Sequence, residues 1–600
     1  MRPRARATTG VLICLALLAP GDASAAAARV SNNSLPWLHV EQRPGARPEI
    51  VDSNSRTVIL RGVNVTGLED DAYTLTKGGN WSKPFWPTDP AAYRRRCPRN
   101  SHLIVDPPLC EVDAGRGRYA QSADPDSHND FAQMRALGFN LVRLTLSWSL
   151  LEPEPGAYDR AYLDRIAQVV GWAEEQGMYV LLDMHQDNYS RFMPPDDAPE
   201  AAPLATKVPC EGHHCDGAPA WAVLTDGEPG LALLGQAPFD AKVAAAFTSF
   251  WLNRTVPAPQ GDAPGTGLQD HYIGAMAALA RRFRDNSTVV GYEIMNEPLP
   301  GYIPFPGPFD QGYLYPFYRR VIDAITGVGD GAPCPASTPA LAACGYPDLG
   351  IHDTKHLFFF EPMAARNLVD VSPQMTAPFS SYPNLVYAPH VYSYVFTLPG
   401  LPLSEDQAFQ TADAEARAMG AALLIGEYGN GPPDDDPLLA NATAAQDRHA
   451  VSSTVWAWKA NCTGTGRTCT NWATYYGDTR DPPAQNLDII PTRRKYLSRA
   501  YPRAVAGTLL AFAYDPAGKT FSMSATADEA VKPGRVNDET IVYIPASVAG
   551  PVGVSGNAVL DRVDEAPDGS RLAYVAPTGR GGYRFLVRAD RNAASGGITR

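Results

Sequence analysis

The 600-residue chain predicts a (β/α)8 barrel of the TIM-barrel class with long strand-end insertions, followed by a C-terminal all-β sandwich. Three observations carry that prediction. Between about residues 50 and 500, short apolar runs alternate with helical runs until eight strands have been counted. Those short runs are apolar throughout, as strands covered on both faces should be. Beyond Tyr501-Pro502 the helical patterns stop, and short alternating runs separated by turn residues take over.

Strand one is residues 57–65. A helix over 130–137, stopped by Gly138, leads into strand two at 139–147. A helix over 160–176, stopped by Gly177, leads into strand three at 178–184. Helix 270–284 precedes strand four at 288–295, and helix 317–326 precedes strand five at 356–360. Strand six is 384–390. Helix 412–419 ends at Gly420 before strand seven at 421–426. Helix 446–452 precedes strand eight at 453–458, and 492–500 closes the series. The barrel domain is placed at 26–504 and the sandwich at 505–600. Inserts at 66–129, 185–268, 299–316 and 327–355 are rich in Pro, Gly and Asp, and most follow strand ends, the face that carries chemistry in such barrels.

Residues 1–25 read as a secretory signal. Arg2, Arg4 and Arg6 form a basic start, Gly10 to Ala19 is apolar but too short to span a bilayer, and Ala23-Ser24-Ala25 suits cleavage. A secreted protein is therefore expected. Removing this leader takes away three arginines and Asp22, leaving 48 basic against 63 acidic residues and a net charge of −15. That balance argues against nucleic acid as a partner and against simple electrostatic docking on anionic lipid. Apolar residues at 44% and charged residues at 19% exclude disorder as the main state.

Apart from Cys14, the nine cysteines fall in four close pairs: Cys97/Cys110, Cys210/Cys215, Cys334/Cys344 and Cys462/Cys469. In an exported chain these suggest four local disulfides, a pairing inferred from proximity alone. The run Cys210-Glu211-Gly212-His213-His214-Cys215 lacks a standard zinc spacing, so no metal is expected there. Asp434-Asp435-Asp436 reads as a solvated loop. Sequons stand at Asn32, Asn64, Asn80, Asn188, Asn253, Asn286, Asn441 and Asn461.

Two carboxylates stand at strand ends: Glu297 in Asn296-Glu297-Pro298 after strand four, and Glu427 in Gly426-Glu427-Tyr428-Gly429 after strand seven. Closure of the barrel would bring them across one mouth. Retaining glycoside hydrolysis needs such a pair, one acid to protonate the leaving oxygen and one carboxylate to attack the anomeric carbon. Burial of two acids together would also split their titration. Glu361, ending strand five in Phe360-Glu361-Pro362, is a rival that could touch substrate. Glu293 lies deeper and reads as structural. The chain holds no Walker loop, no G-x-S-x-G elbow and no H-E-x-x-H.

On these motifs, residues 50–500 resemble glycoside hydrolase family 5. The resemblance makes Glu297 the acid/base and Glu427 the nucleophile. It implies that Arg143, in Leu141-Val142-Arg143-Leu144, supports the nucleophile and holds it ionised. It gives His185 the place of the strand-three histidine, and makes His390 and Tyr392 the strand-six pair that orients the two acids. Asn296 is expected to grip the sugar 2-hydroxyl. Trp458 resembles the strand-eight sugar platform, with Trp456 a rival by spacing. Within the family the chain is most similar to the endoglycoceramidase group, in Leu182-Asp183-Met184-His185-Gln186-Asp187, in the insert after Asn64-Val65, in Phe360-Glu361-Pro362 and in the trailing β-domain. That likeness implies a glycosphingolipid or oligosaccharide substrate, sugar contacts from Asp183 and Asp187, no cofactor, no metal, no obligate protein partner, and at most transient contact with a lipid surface. An apolar stretch at 299–309 and 313–317 is read as a wall for the lipid leaving group. A secreted β-glucanase or mannanase, and a non-catalytic glycolipid-binding protein, are the alternatives.

Overall fold

The computed structural model describes residues 35–43, 45–68, 130–190, 217–228, 240–256, 266–305, 307–329, 345–370, 378–392, 404–429, 436–458, 474, 489–535 and 537–588. The leader, all nine cysteines and the Cys210–Cys215 run lie outside them, as does most of the insert after strand one.

Eight parallel strands close on themselves: Arg61–Leu68, Leu141–Leu146, Tyr179–Met184, Val289–Glu293, Leu357–Phe360, Leu385–Tyr387 with its continuation His390–Val391, Ala422–Tyr428 and Ser452–Val455. Strand eight pairs back onto strand one with Ser453 opposite Arg61. The order follows the chain, as right-handed crossovers require. Alternation sorts the side chains. Val142, Leu144, Leu182 and Phe358 face the surrounding helices. Leu141, Leu181, Phe359 and Leu424 fill the lower barrel interior. Two residues further along three of those strands stand Arg143, Asp183 and Glu361, so a charged layer rests directly on an apolar one. Gly291 lets strand five and the Phe359 ring approach closely, since a Cβ there would sit 2.1 Å from the Leu357 carbonyl oxygen and 2.9 Å from that ring.

Helix starts follow local chemistry. Asp159 caps Arg160–Glu175 by accepting from the Tyr162 amide. Ser404 and Gln407 form a reciprocal capping box at the head of Glu405–Met419, which starts that helix seven residues before the expected 412. The helix expected at 446–452 is Asp436–Arg448, so Asp436 opens a helix with Pro437 behind it and does not belong to a solvated loop. The 185–268 insert contains a helix, Ala241–Trp251, whose Phe247, Phe250 and Trp251 are buried.

The apolar run 57–65 is divided between two sheets. Thr57–Val58 pairs antiparallel with Tyr501–Val505, and only Arg61–Leu68 belongs to the barrel. Leu38–Glu41 and Glu49–Asp52 extend the same outer sheet, while Leu38, Val40 and Ile50 pack into the lower barrel cluster. This seven-stranded sheet and a four-stranded one (Thr508–Asp515, Thr520–Ala527, Gly581–Val587, Val552–Gly556) enclose a second core around Phe512, Phe521, Tyr543 and Phe585. The sandwich therefore takes strands from both ends of the described chain. It is tied to the barrel by Tyr501 Oη to the Gly138 carbonyl at 2.7 Å and Tyr543 Oη to the Ala136 carbonyl at 2.7 Å.

Candidate active site

Strand four ends at Glu293, and the four residues beyond it build the first acid. Ile294 donates to the Phe359 carbonyl and Asn296 to the Met184 carbonyl, which holds the turn between strands three and five. Glu297 has φ 40°, in the left-handed region that non-glycine residues seldom occupy. The Gln186 amide secures it, donating to the carbonyls of Asn296 at 2.7 Å and Glu297 at 2.9 Å. Glu427 lies within strand seven, and strand register sets His390 beside it.

The two carboxylates meet. One oxygen of Glu297, one of Glu427 and a ring nitrogen of His390 all lie within 4.8 Å of one another. Oε1 of Glu297 is 2.7 Å from His390 Nδ1 and accepts from Asn367 Nδ2 at 3.0 Å. Glu427 accepts from Arg143 Nη1 at 2.7 Å on one oxygen and from the Tyr392 hydroxyl at 2.9 Å on the other. The surroundings of the two acids thus differ. Glu427 is enclosed, between a guanidinium and a phenol, whereas the Glu297 side chain keeps 28% of its surface open.

Arg143 is the hub. Its guanidinium also reaches Glu293 at 2.6 Å, Asn296 at 2.8 Å, Asn64 at 2.9 Å, Asp183 at 3.1 Å and Glu361 at 3.4 Å. Burial works against its charge, but Asp183, Glu293 and Glu427 outweigh that and hold it protonated. His390 follows the same logic. Burial disfavours the imidazolium, yet Glu361, 3.1 Å from Nε2, with Glu427 and Glu297, raises it well above the ordinary histidine range. Burial pushes Glu361 well above the carboxylate range against the pull of His390, with Glu293 adding to the rise. It also raises Glu427, opposed by His390 and Arg143.

Several expected residues take other places. Asp183 is fully buried against Arg143 and His185 (2.7 Å), so it cannot touch a sugar. Asp187 is partly open, 3.8 Å from the other nitrogen of His185. Glu361 is enclosed and supports His390, so it is not a free acid at the mouth. Trp458 is corrected as the sugar platform: it is 2% exposed and packs in the core between barrel and helices. Trp456 is the half-buried indole, and its ring lies 5.4 Å from that of His185, nearly parallel at 12°. Asn296 gives its oxygen to Arg143 and one N–H to the Gln186 carbonyl, leaving the second amide hydrogen for a ligand. The apolar wall is also smaller than expected. Phe309, Leu314, Tyr315 and Phe317 are core residues, while Tyr302 and Phe305 remain 55% and 52% exposed.

Sequence reasoning missed Asn64, Gln186 and Asn367. Asn64 lies within strand one and Gln186 just past strand three, so both had a positional signal. Asn367 lies seven residues past strand five, on the short helix Arg366–Val369, and had none. Among the described residues two donor groups, Glu293/Glu361/His390 and Glu297/His390/Glu427, are tight enough for a cation. Both need His390, whose two nitrogens face carboxylates already, and Arg143 stands against each group.

Family models match two parts of the chain. The model of the cellulase family (glycosyl hydrolase family 5) matches residues 115–462, and that of the family's C-terminal domain matches 499–572. The chain is 26% identical over 481 residues to endoglycoceramidase I of Rhodococcus hoagii, covering 76% of this chain and 79% of that protein. It is 31% identical over 266 residues to a glucosylceramidase of Rhizopus delemar, covering 42% of this chain and 35% of that protein, so it spans about a third of that relative. A solved endogalactoceramidase is similar over 92% of this chain and 100% of its own, with a TM-score of 0.62 and 26% identity. The ganglioside GM3 complex of endo-glycoceramidase II from Rhodococcus sp. shares the fold, with a TM-score of 0.60 at 22% identity over 90% of this chain and 99% of its own.

Proposed function

Because the chain belongs to glycosyl hydrolase family 5, we propose that it is a secreted, retaining endo-glycosidase that cuts the β-bond between an oligosaccharide and ceramide. Glu297 is the acid/base and Glu427 the nucleophile. The observation that carries the reading is the approach of the two carboxylates to within 4.8 Å. Retaining enzymes hold their acids about 5–5.5 Å apart, and inverting ones leave roughly 6.5–9.5 Å for a water.

The residues divide the work. Arg143 and Tyr392 favour the ionised form of Glu427, which attacks the anomeric carbon. Glu297 gives its proton to the departing oxygen and later takes one from the water that releases the glycan. The free amide hydrogen of Asn296 suits the 2-hydroxyl, and Trp456 offers a face to the ring. The ceramide preference is supported by the names of the relatives and by Tyr302 and Phe305, which are exposed and follow the acid by five and eight residues.

The test is product analysis. Lactosylceramide should yield intact lactose and ceramide, and a soluble β-glucan should be cut far more slowly. Release of glucose or galactose alone would indicate an exo-acting enzyme, and preference for the glucan a polysaccharide hydrolase. A 2-deoxy-2-fluoro lactoside should leave its label on the peptide containing Glu427, and labelling elsewhere refutes the assignment. Replacing Tyr302 and Phe305 with Ser should lower turnover of the lipid substrate about tenfold while sparing an aryl lactoside. Equal losses on both would remove the leaving-group role.

A further inference from the structure

Asn367 is almost fully buried and has its amide fixed at both ends. Its Oδ1 accepts from the His390 backbone N–H at 3.2 Å, and its Nδ2 donates to Glu297 Oε1 at 3.0 Å. A backbone N–H can only donate, so the oxygen must face residue 390 and the NH2 must face the acid. The short helix that carries Asn367 is itself anchored. Arg366 donates to the His390 carbonyl at 3.1 Å and is held by Glu415 at 2.8 Å. The peptide of residue 390 is therefore gripped from both sides, and the imidazole above it is aimed at the same Oε1, at 2.7 Å.

Two donors thus converge on one oxygen of Glu297. Its other oxygen has no hydrogen-bond partner among the described residues. A carboxyl group whose Oε1 already accepts two hydrogen bonds must carry its own proton on Oε2.

We propose that Asn367 is a positioning residue that selects Oε2 of Glu297 as the oxygen that delivers the proton to the leaving group. This rests on the reading of Glu297 as the acid. In the step concerned, the Oε2–H bond breaks as the proton passes to the glycosidic oxygen. The electron pair of the C–O bond leaves with that oxygen while Glu427 bonds to carbon. Asn367 touches no substrate atom. It keeps the proton off Oε1, where it would face His390 and be lost to the reaction.

Asn367→Asp is the discriminating variant. It keeps the shape and the acceptor for the His390 N–H, but its second oxygen cannot donate when ionised and instead accepts a hydrogen bond, which favours placing the Glu297 proton on Oε1 instead of Oε2. The rates to compare are hydrolysis of detergent-dispersed lactosylceramide, whose alcohol needs a proton to depart, and of 2,4-dinitrophenyl β-lactoside, whose phenolate does not. Asn367→Asp and Asn367→Ala should each lower kcat/KM on the first about 10- to 100-fold and leave the second within about threefold. The ratio of the two rates on one preparation is independent of how much of the protein folded. A ratio equal to wild type in both variants makes Asn367 merely structural and overturns the proposal. Glu297→Gln, run alongside, should show the same substrate dependence more steeply. If it shows none, the acid has been misassigned, which is a separate failure.

Discussion

Tyr392→Phe removes one atom and leaves the ring in place. The hydroxyl donates at 2.9 Å to Glu427, whose carboxylate is enclosed and whose other oxygen is held by Arg143. Hydrogen bonds to charged groups contribute about 1.5–3 kcal/mol. At 1.36 kcal/mol per decade, losing this one should lower kcat/KM about 10- to 150-fold. The sign of the pH effect follows from burial. Desolvation already raises the Glu427 carboxyl above its ordinary range, with His390 and Arg143 pulling it back. Removing a donor to the ionised form raises it further, by up to about 1–2 pH units if the whole bond is expressed that way. Attack requires the carboxylate, so the acid limb of kcat/KM should move to higher pH. Stability should show the same sign. A carboxyl raised on folding contributes stability that is fully present below its unfolded value and lost as pH rises through its folded value. The variant should therefore be more destabilised at pH 7 than at pH 4, which lies below the ordinary glutamate value. The pH–rate profile and thermal unfolding at those two pH values measure this. An acid limb that stays in place, together with equal destabilisation at both pH values, would refute the placement of the tyrosine on the nucleophile.

The two strand-eight tryptophans should separate cleanly. Trp456→Ala should raise KM for lactosides about tenfold with little change in the denaturation midpoint, because the loss is one stacking face. Trp458→Ala should cost about 3–5 kcal/mol in urea unfolding, as removal of a core indole does. At the joint between barrel and sandwich, Gly138 has φ 97°, and a Cβ there would lie 2.3 Å from the Tyr543 ring. Gly138→Ala should destabilise by about 1–3 kcal/mol through that clash, while the folded fraction keeps wild-type KM. Arg143→Met should also cost about 3–5 kcal/mol, because it leaves several buried carboxylates without their cation; calorimetry reads it directly.

What the sequence showed, and what it hid, depends on how far alternation runs. Glu297 and Glu427 were legible as neighbours because one follows an apolar strand and the other stands near the end of one, and a parallel barrel sends every strand end to one face. The charged layer was half legible. Leu141/Arg143, Leu181/Asp183 and Phe359/Glu361 each repeat an apolar inward residue followed two positions later by a charged one, the period of a strand. No single segment shows that the four charges of Arg143, Asp183, Glu293 and Glu361 share one ring, because closure of the barrel brings them together. Trp456 and Trp458 have the same parity, so the alternation rule would send both inward. Strand eight ends at Val455, however, and beyond it the rule has no hold, which is why one indole meets His185 and the other enters the core. The run 57–65 misled for the opposite reason. It has no breaker between Val58 and Arg61, yet two sheets compete for it. Thr57–Val58 pairs with strand Tyr501–Val505, more than four hundred residues away. Ile59 packs into the sandwich core and Leu60 into the barrel floor. Continuity of apolar residues marks burial on both faces, and it does not say how many sheets do the burying.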